Sequence, residues 1–401
     1  MADASIAPAA ARLPGLDLLR ALAIAWIMLY HLESYGLRFP GPLIGFGWIG
    51  VDLFFVLSGY LIGWQLLRPW ASGEAPAWRP WLRSFMLRRA LRILPAYLTV
   101  LALYLLFPAT AEADRMRPLW QFLTFTVNLL PASMDQRAFS HAWSLCVEEH
   151  FYLLLPPIVW WLARRPGLAR TAAVVLGVFL GGMLLRAWLW RQELAPLAGQ
   201  AAYLPAFITH IYMPSYTRLD GLLAGVVLAA VRGFRPAWWV WLMARGVMLL
   251  VAGVAGLGAA MWLLRGVPGF AGIVFGYPLL SASLACLVLG CISEHSWPGR
   301  WRLPGTHALA TLAFSLYLTH KQVYHAIDAA MDDSLAASSV LAFCAHNAAA
   351  LLAAALLYCL VERPGLRWRA WLETHHLPAV AVAGNAAFAA PQSQADQAQP
   401  R

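Results

Sequence analysis

The sequence predicts an all-α polytopic membrane helical bundle with about ten transmembrane helices, and three observations carry that prediction. Of its 401 residues, 61% are hydrophobic and only 12% charged, and the mean hydropathy of +0.62 is far outside the range of an ordinary soluble domain. The apolar residues fall into runs of about 20, the length that crosses a hydrocarbon core. Basic residues gather in the segments between alternate runs. The net charge of +10 therefore reads as membrane orientation, and no nucleic-acid partner is expected.

The runs lie near 16–36, 46–67, 86–107, 143–163, 171–190, 216–231, 245–264, 270–291, 307–327 and 338–360. The residues before the first run lack a basic leader segment, so that run is expected to remain as a helix. Segments after the even-numbered runs carry Arg68, Arg79, Arg83, Arg88, Arg89 and Arg92, then Arg164, Arg165 and Arg170, then Arg232, Arg235 and Arg245, then Arg300 and Arg302. The opposite segments hold Arg38, then Arg115, Arg117 and Arg137 offset by Glu112, Asp114 and Asp135, then Arg191, Arg265, and finally Asp328, Asp332 and Asp333. The alternation places both termini in the cytoplasm. It divides the chain into a cytoplasmic segment 1–15, a membrane domain 16–364 and a cytoplasmic, partly disordered tail 365–401. Two long outer segments, 108–142 and 191–215, are expected to roof the outer mouth. The five cysteines form no CxxC pair, so neither a disulfide framework nor a metal site is expected.

The first run holds Arg20 and His31 where lipid should be. Eleven helical steps advance roughly 16 Å and come within about 20° of three full turns, so the two share a face. Ionisable residues in a membrane face a cavity and mark function, or pair structurally. The second run places Asp52 among Gly47, Gly50, Ser58, Gly59 and Gly63, small residues that let helices approach closely. Asp52 itself needs a buried partner or water. At the start of the third, Arg89 and Arg92 share a face at i, i+3 and offer either an inner anchor or an anion site. The fourth brings His141 at its outer entrance and Glu148, Glu149 and His150 two turns deeper; adjacent carboxylates diverge by about 100°, so only one is expected to face a cavity, and Glu148 lies at a depth comparable with His31. Arg218 and Asp220 open the sixth run. His320 and Lys321 lie deep in the ninth. Glu362 and Arg363 close the last as an ion pair, with Pro364 stopping the helix.

Taken in order, these segments resemble the acyltransferase 3 family of bacterial integral-membrane acyltransferases. The resemblance runs over 16–364 and is carried by LDLLRALAIAWIMLYH at 16–31, GVDLFFVLSGYLI at 50–62, RRALRILPAY at 88–97, HAWSLCVEEHFYL at 141–153, FSLYLTH at 314–320 and ERP at 362–364. Departures are Cys146 where Ser is usual, His150 where Gln is usual and Lys321 where an aromatic residue is common. The resemblance implies an Arg-x10-His pair at Arg20 and His31, an Arg-x-x-Arg at Arg89 and Arg92, and a functional carboxylate at Glu148. It implies transfer of an acyl group, usually acetyl, from cytoplasmic acyl-CoA to a hydroxyl of a carbohydrate such as an O-antigen, peptidoglycan or exopolysaccharide, or, in one branch, a macrolide. The bacterial cytoplasmic (inner) membrane is the expected location. The sequence carries no appended hydrolase-like domain, which argues against the two-domain branch.

Moving an acyl group from thioester to hydroxyl needs a base, an oxyanion partner and fixed geometry. The expectation is that His31 serves as base with Glu148 orienting it, and that Arg20, Arg89 and Arg92 hold the phosphates of coenzyme A. Asp52, His141, Arg218 and His320 are expected on the acceptor side. Base and clamp should stand along one shaft. A proton-coupled transporter is the rival class, since scattered buried charges also build relays; the hydropathy shows no inverted repeat.

Overall fold

A computed structural model describes residues 13–37, 39, 41–130, 134–331 and 339–375. Arg38, Asp332 and Asp333, which entered the charge argument, lie outside the described residues, as do most of the 1–15 segment and the tail beyond 375. Ten long helices occupy the ten apolar runs: α1 (Pro14–Leu32), α2 (Ile49–Ala71), α3 (Trp78–Leu106), α4 (Ala142–Arg164), α5 (Leu168–Leu189), α6 (Asp220–Phe234), α7 (Gly246–Leu263), α8 (Tyr277–Ile292), α9 (Thr306–Ala330) and α10 (Ser339–Leu357). Seven described helical stretches are long and apolar enough to cross a membrane. The exceptions are α4, α6 and α9. The sixth has only 15 residues, and the other two carry the Glu, His and Lys side chains that lower their hydropathy.

Burial follows chemistry. Helices α1, α2, α6, α8 and α9 pack on one another, whereas on α5 only Arg186 and Leu189 are buried, as expected for an apolar helix facing lipid. Helices α2 and α6 cross in close contact. A Cβ on Gly59 would stand 2.0 Å from the Leu222 carbonyl oxygen, and one on Gly225 would stand 2.2 Å from that of Val56. No side chain fits there, which is the close approach the glycine pattern of α2 predicts.

The chain does not leave the bundle at Pro364. A π-helical turn, Tyr358–Glu362, carries α10 into α11 (Arg363–His375), which packs against α3. Pro364 follows directly on the π-helical turn, inside the continuing helix, and does not end it. The turn also separates the expected Glu362–Arg363 pair. Glu362 points inward and accepts from the Ser315 hydroxyl at 2.8 Å, while Arg363 is exposed; neighbours about 100° apart cannot both face the interior.

The two long connecting segments cover the end of the bundle where α1 finishes, and they are tied together. Asn128 donates to the Met213 carbonyl at 3.0 Å and to Ser215 at 2.8 Å, and Arg137 to Thr209 at 3.4 Å. The WQFLTFTVNLL stretch within the first forms a short helix, Leu119–Leu123, with Phe122 buried.

Candidate active site

A cavity of about 670 Å³ opens among the helices. Its mouth lies at the start of α1 and is ringed by Asp17 and Arg20, by Arg68 at the end of α2, by Arg88, Arg89 and Arg92 at the start of α3, by His307 at the start of α9, and by Arg369 and Glu373 of α11. The chain thus brings Arg20, Arg89 and Arg92 to the wall of one cavity. Arg89 donates to Gln65 at 3.3 Å and its guanidinium stands 5.8 Å from the Tyr152 ring centre. Six arginines line this mouth, and Arg88, Arg89 and Arg369 each keep a buried Nε without a hydrogen-bond partner, which makes it a site suited to a polyanion such as a nucleotide phosphate.

Glu148 and Glu149 both line this cavity, because it is broad enough to take both side chains. The Glu148 carboxylate accepts from the Tyr152 hydroxyl at 2.6 Å, and Tyr152 in turn hydrogen-bonds Ser58. This differs from the expectation that Glu148 orients His31. Glu148 follows His141 by seven residues, so it sits about 10 Å deeper along α4 than the histidines.

The partner of His31 is another histidine. Its Nδ1 lies 2.8 Å from Nε2 of His320, and the rings stack with centres 5.0 Å apart. His320 is fully buried, and its Nδ1 lies 2.9 Å and 3.0 Å from the carbonyl oxygens of Leu316 and Tyr317. A carbonyl only accepts, so that nitrogen carries the hydrogen and the neutral ring offers Nε2 as acceptor. His31 must then donate from Nδ1. Its Nε2 keeps a lone pair, and the side chain is only half-buried. His141 stands beside the pair, with ring centres 5.4 Å from His320, and donates from Nε2 to the Leu318 carbonyl at 3.0 Å.

Cavity and histidines do not share an open shaft. On α1 the lining ends at Arg20, and Ile24 and Ile27, which occupy the same face between Arg20 and His31, are fully buried. On the far side Tyr317 and Ser144 close the space: their hydroxyls hydrogen-bond at 2.6 Å, both line the cavity, and the Tyr317 ring packs edge-on against His141 at 5.5 Å. Tyr317 thus stands between the cavity and His141.

Asp52 and Arg218 are not on the cavity wall. They pair with each other at 2.7 Å, 3% and 2% exposed, and the guanidinium is boxed by the rings of Tyr277, Tyr212 and Trp143 at 4.4, 4.7 and 5.4 Å. The pair ties α2 to the start of α6, with Arg218 Nη1 and Asp52 Oδ2 left without hydrogen-bond partners. A second buried pair, which the sequence reading passed over, joins Arg186 of α5 to Asp220 of α6 at 2.6 and 3.1 Å. The lone arginine in an otherwise apolar run was its signal. Glu112 was likewise passed over: it reads as one loop charge among several, yet its side chain is 9% exposed and reaches the histidines' end of the bundle.

The described residues thus form a helical bundle with an arginine-lined cavity and, past Tyr317, a hydrogen-bonded histidine pair. The chain belongs to the acyltransferase 3 family: the family model, described as an acyltransferase domain, matches residues 13–361. It thus carries an acyltransferase domain within a multi-pass helical membrane bundle. Among curated relatives it is similar to O-acetyltransferase OatA of Staphylococcus aureus, 30% identical over 234 residues, which is 55% of this chain and 34% of that protein. It is also similar to peptidoglycan O-acetyltransferase OatA of Listeria monocytogenes, 27% identical over 236 residues with the same coverage. The match spans about a third of the length of these relatives. No solved structure matches the chain.

Proposed function

We propose that this protein moves an acetyl group from acetyl-CoA, taken up at the cytoplasmic mouth, to a hydroxyl of a cell-surface carbohydrate on the outer side of the bacterial inner membrane. The observation that carries this reading is the His31–His320 hydrogen bond, which leaves Nε2 of His31 with a free lone pair beyond the closed end of an arginine-lined cavity. In this reading Arg20, Arg89 and Arg92, joined by Arg88 and Arg369, hold the phosphates of coenzyme A, and the Tyr317 ring swings aside to let the thioester end pass from the cavity to His31. His31 Nε2 takes the proton of the acceptor hydroxyl as its oxygen attacks the thioester carbon. His320 accepts the hydrogen bond that steadies the imidazolium, and as the carbon–sulfur bond breaks His31 gives that proton to the departing sulfur, so coenzyme A leaves as the free thiol. Glu148 and Tyr152 line the donor's path. The glycan acceptor rests on the names of the OatA relatives, whose greater length makes the particular sugar a matter for experiment; a small-molecule hydroxyl such as a macrolide's is the second acceptor to try.

The test is purified protein with labelled acetyl-CoA and a panel of glycans. Acceptor-dependent release of free coenzyme A is expected, lost in His31→Ala by about 10²- to 10⁴-fold, the usual worth of a positioned base, while donor binding persists. Solute flux in liposomes without any acyl-CoA would instead point to a transporter.

A further inference from the structure

Close to the histidine pair stands a set of charges that the transfer described above does not use. Glu112 lies in the segment after α3, and its Oε1 accepts from Lys321 Nζ at 3.2 Å, from the Ser140 backbone N–H at 3.2 Å and from the Ser140 hydroxyl at 3.3 Å. Its Oε2 accepts from the Tyr104 hydroxyl at 2.8 Å. Nδ1 of His141 stands 3.8 Å away. Lys321 also donates to Ser140 at 2.5 Å, and its side chain is only 17% exposed. Lys321 directly follows His320, so an ammonium and a carboxylate, both shielded from water, stand beside the proposed base.

Burial alone would raise the carboxyl of Glu112, but the Lys321 ammonium and His141 together hold it well below the usual carboxylate range. It is therefore ionised at every pH at which the cell works, and the pair acts as a fixed dipole. Other ionisable groups face this corner from each packed element: Tyr104 of α3, Tyr30 of α1 and Tyr35 after it, His141 at the start of α4, His320 and Tyr324 of α9, and His346 of α10.

We propose that Glu112 and Lys321 are positioning residues whose opposed charges set the proton affinity of the His31–His320 pair. An ammonium opposes a second positive charge on the neighbouring rings, and a carboxylate favours it. Removing one member leaves the other uncompensated where water cannot screen it. The inference rests on His31 being the base, and it adds that this base is tuned from the segment covering the bundle's end.

The experiment is the rate–pH profile of the purified full-length chain with acetyl-CoA and whichever acceptor the wild type uses. Glu112→Gln is expected to move the acid limb to lower pH by about one unit, the effect of one unscreened charge several ångströms away. Lys321→Met is expected to move it to higher pH by a similar amount. The double variant should return close to the wild-type limb. Should Glu112→Gln fail to fold, Lys321→Met carries the test alone with its opposite sign. Single variants that lose rate equally at all pH values, with the limb unmoved, would overturn the inference while leaving the base intact. Full activity in folded His31→Ala would overturn the base itself.

Discussion

At the scale of single residues, the sequence shows where charge is buried but not what each charge meets. Asp52 and Arg218 stand out as ionisable groups in apolar runs, yet they are 166 positions apart, and nothing local announces their pairing. Breaking such a buried pair from one side leaves a stranded charge. Asp52→Ala should destabilise the protein by about 3–5 kcal/mol, read as a fall in the thermal unfolding temperature in detergent, whereas replacing both residues by apolar ones should cost much less than two single losses. His31 was legible because an eleven-residue step keeps it on the face of Arg20. Its partner was not, because a histidine pair needs two helices brought together. Glu112 was hidden by Asp114 and Arg115 just after it, which make the stretch look uniformly solvated. Its depressed titration has a consequence of definite sign: the stability it contributes is complete above its ordinary value near 4.5 and fades only as pH falls through the lower folded value. Proteolysis of the 108–142 segment should therefore stay slow down to pH 4.5 and accelerate below it.

Among the elements, the ten helices lie where runs of apolar residues place them, since length and hydropathy are local properties. Their ends are less local. Pro364 signals a stop, but the π-turn before it lets the helix continue, and that continuation puts Arg369 and Glu373 on the rim of the cavity. Ending the chain after residue 364 should thus weaken acetyl-CoA binding by about tenfold, the worth of one charge-assisted contact, with the remaining bundle still folded; isothermal titration against the full chain measures it. The α2–α6 crossing has no such latitude. Gly59→Val forces a methyl group into a backbone carbonyl, and a loss of about 1–3 kcal/mol or more is expected, visible as a lower unfolding temperature and reduced yield of folded protein.

Taken whole, the molecule is two half-spaces that meet at a thin wall. The sequence gives both contents, cations toward one end and histidines toward the other, and suggests a continuous shaft because helical geometry aligns Arg20 with His31. It cannot show that Ile24 and Ile27 fill the face between them, or that Tyr317 from α9 closes against Ser144 from α4. Both facts depend on how α1, α4 and α9 converge. That wall bears on the cell's energy supply. A water-filled passage through the bilayer would let protons run down their electrochemical gradient, and a few such leaks per cell would drain it. With the isoleucines and Tyr317 in place, vesicles carrying the purified chain should hold an imposed pH difference as long as empty ones do, and Tyr317→Ala should let it decay.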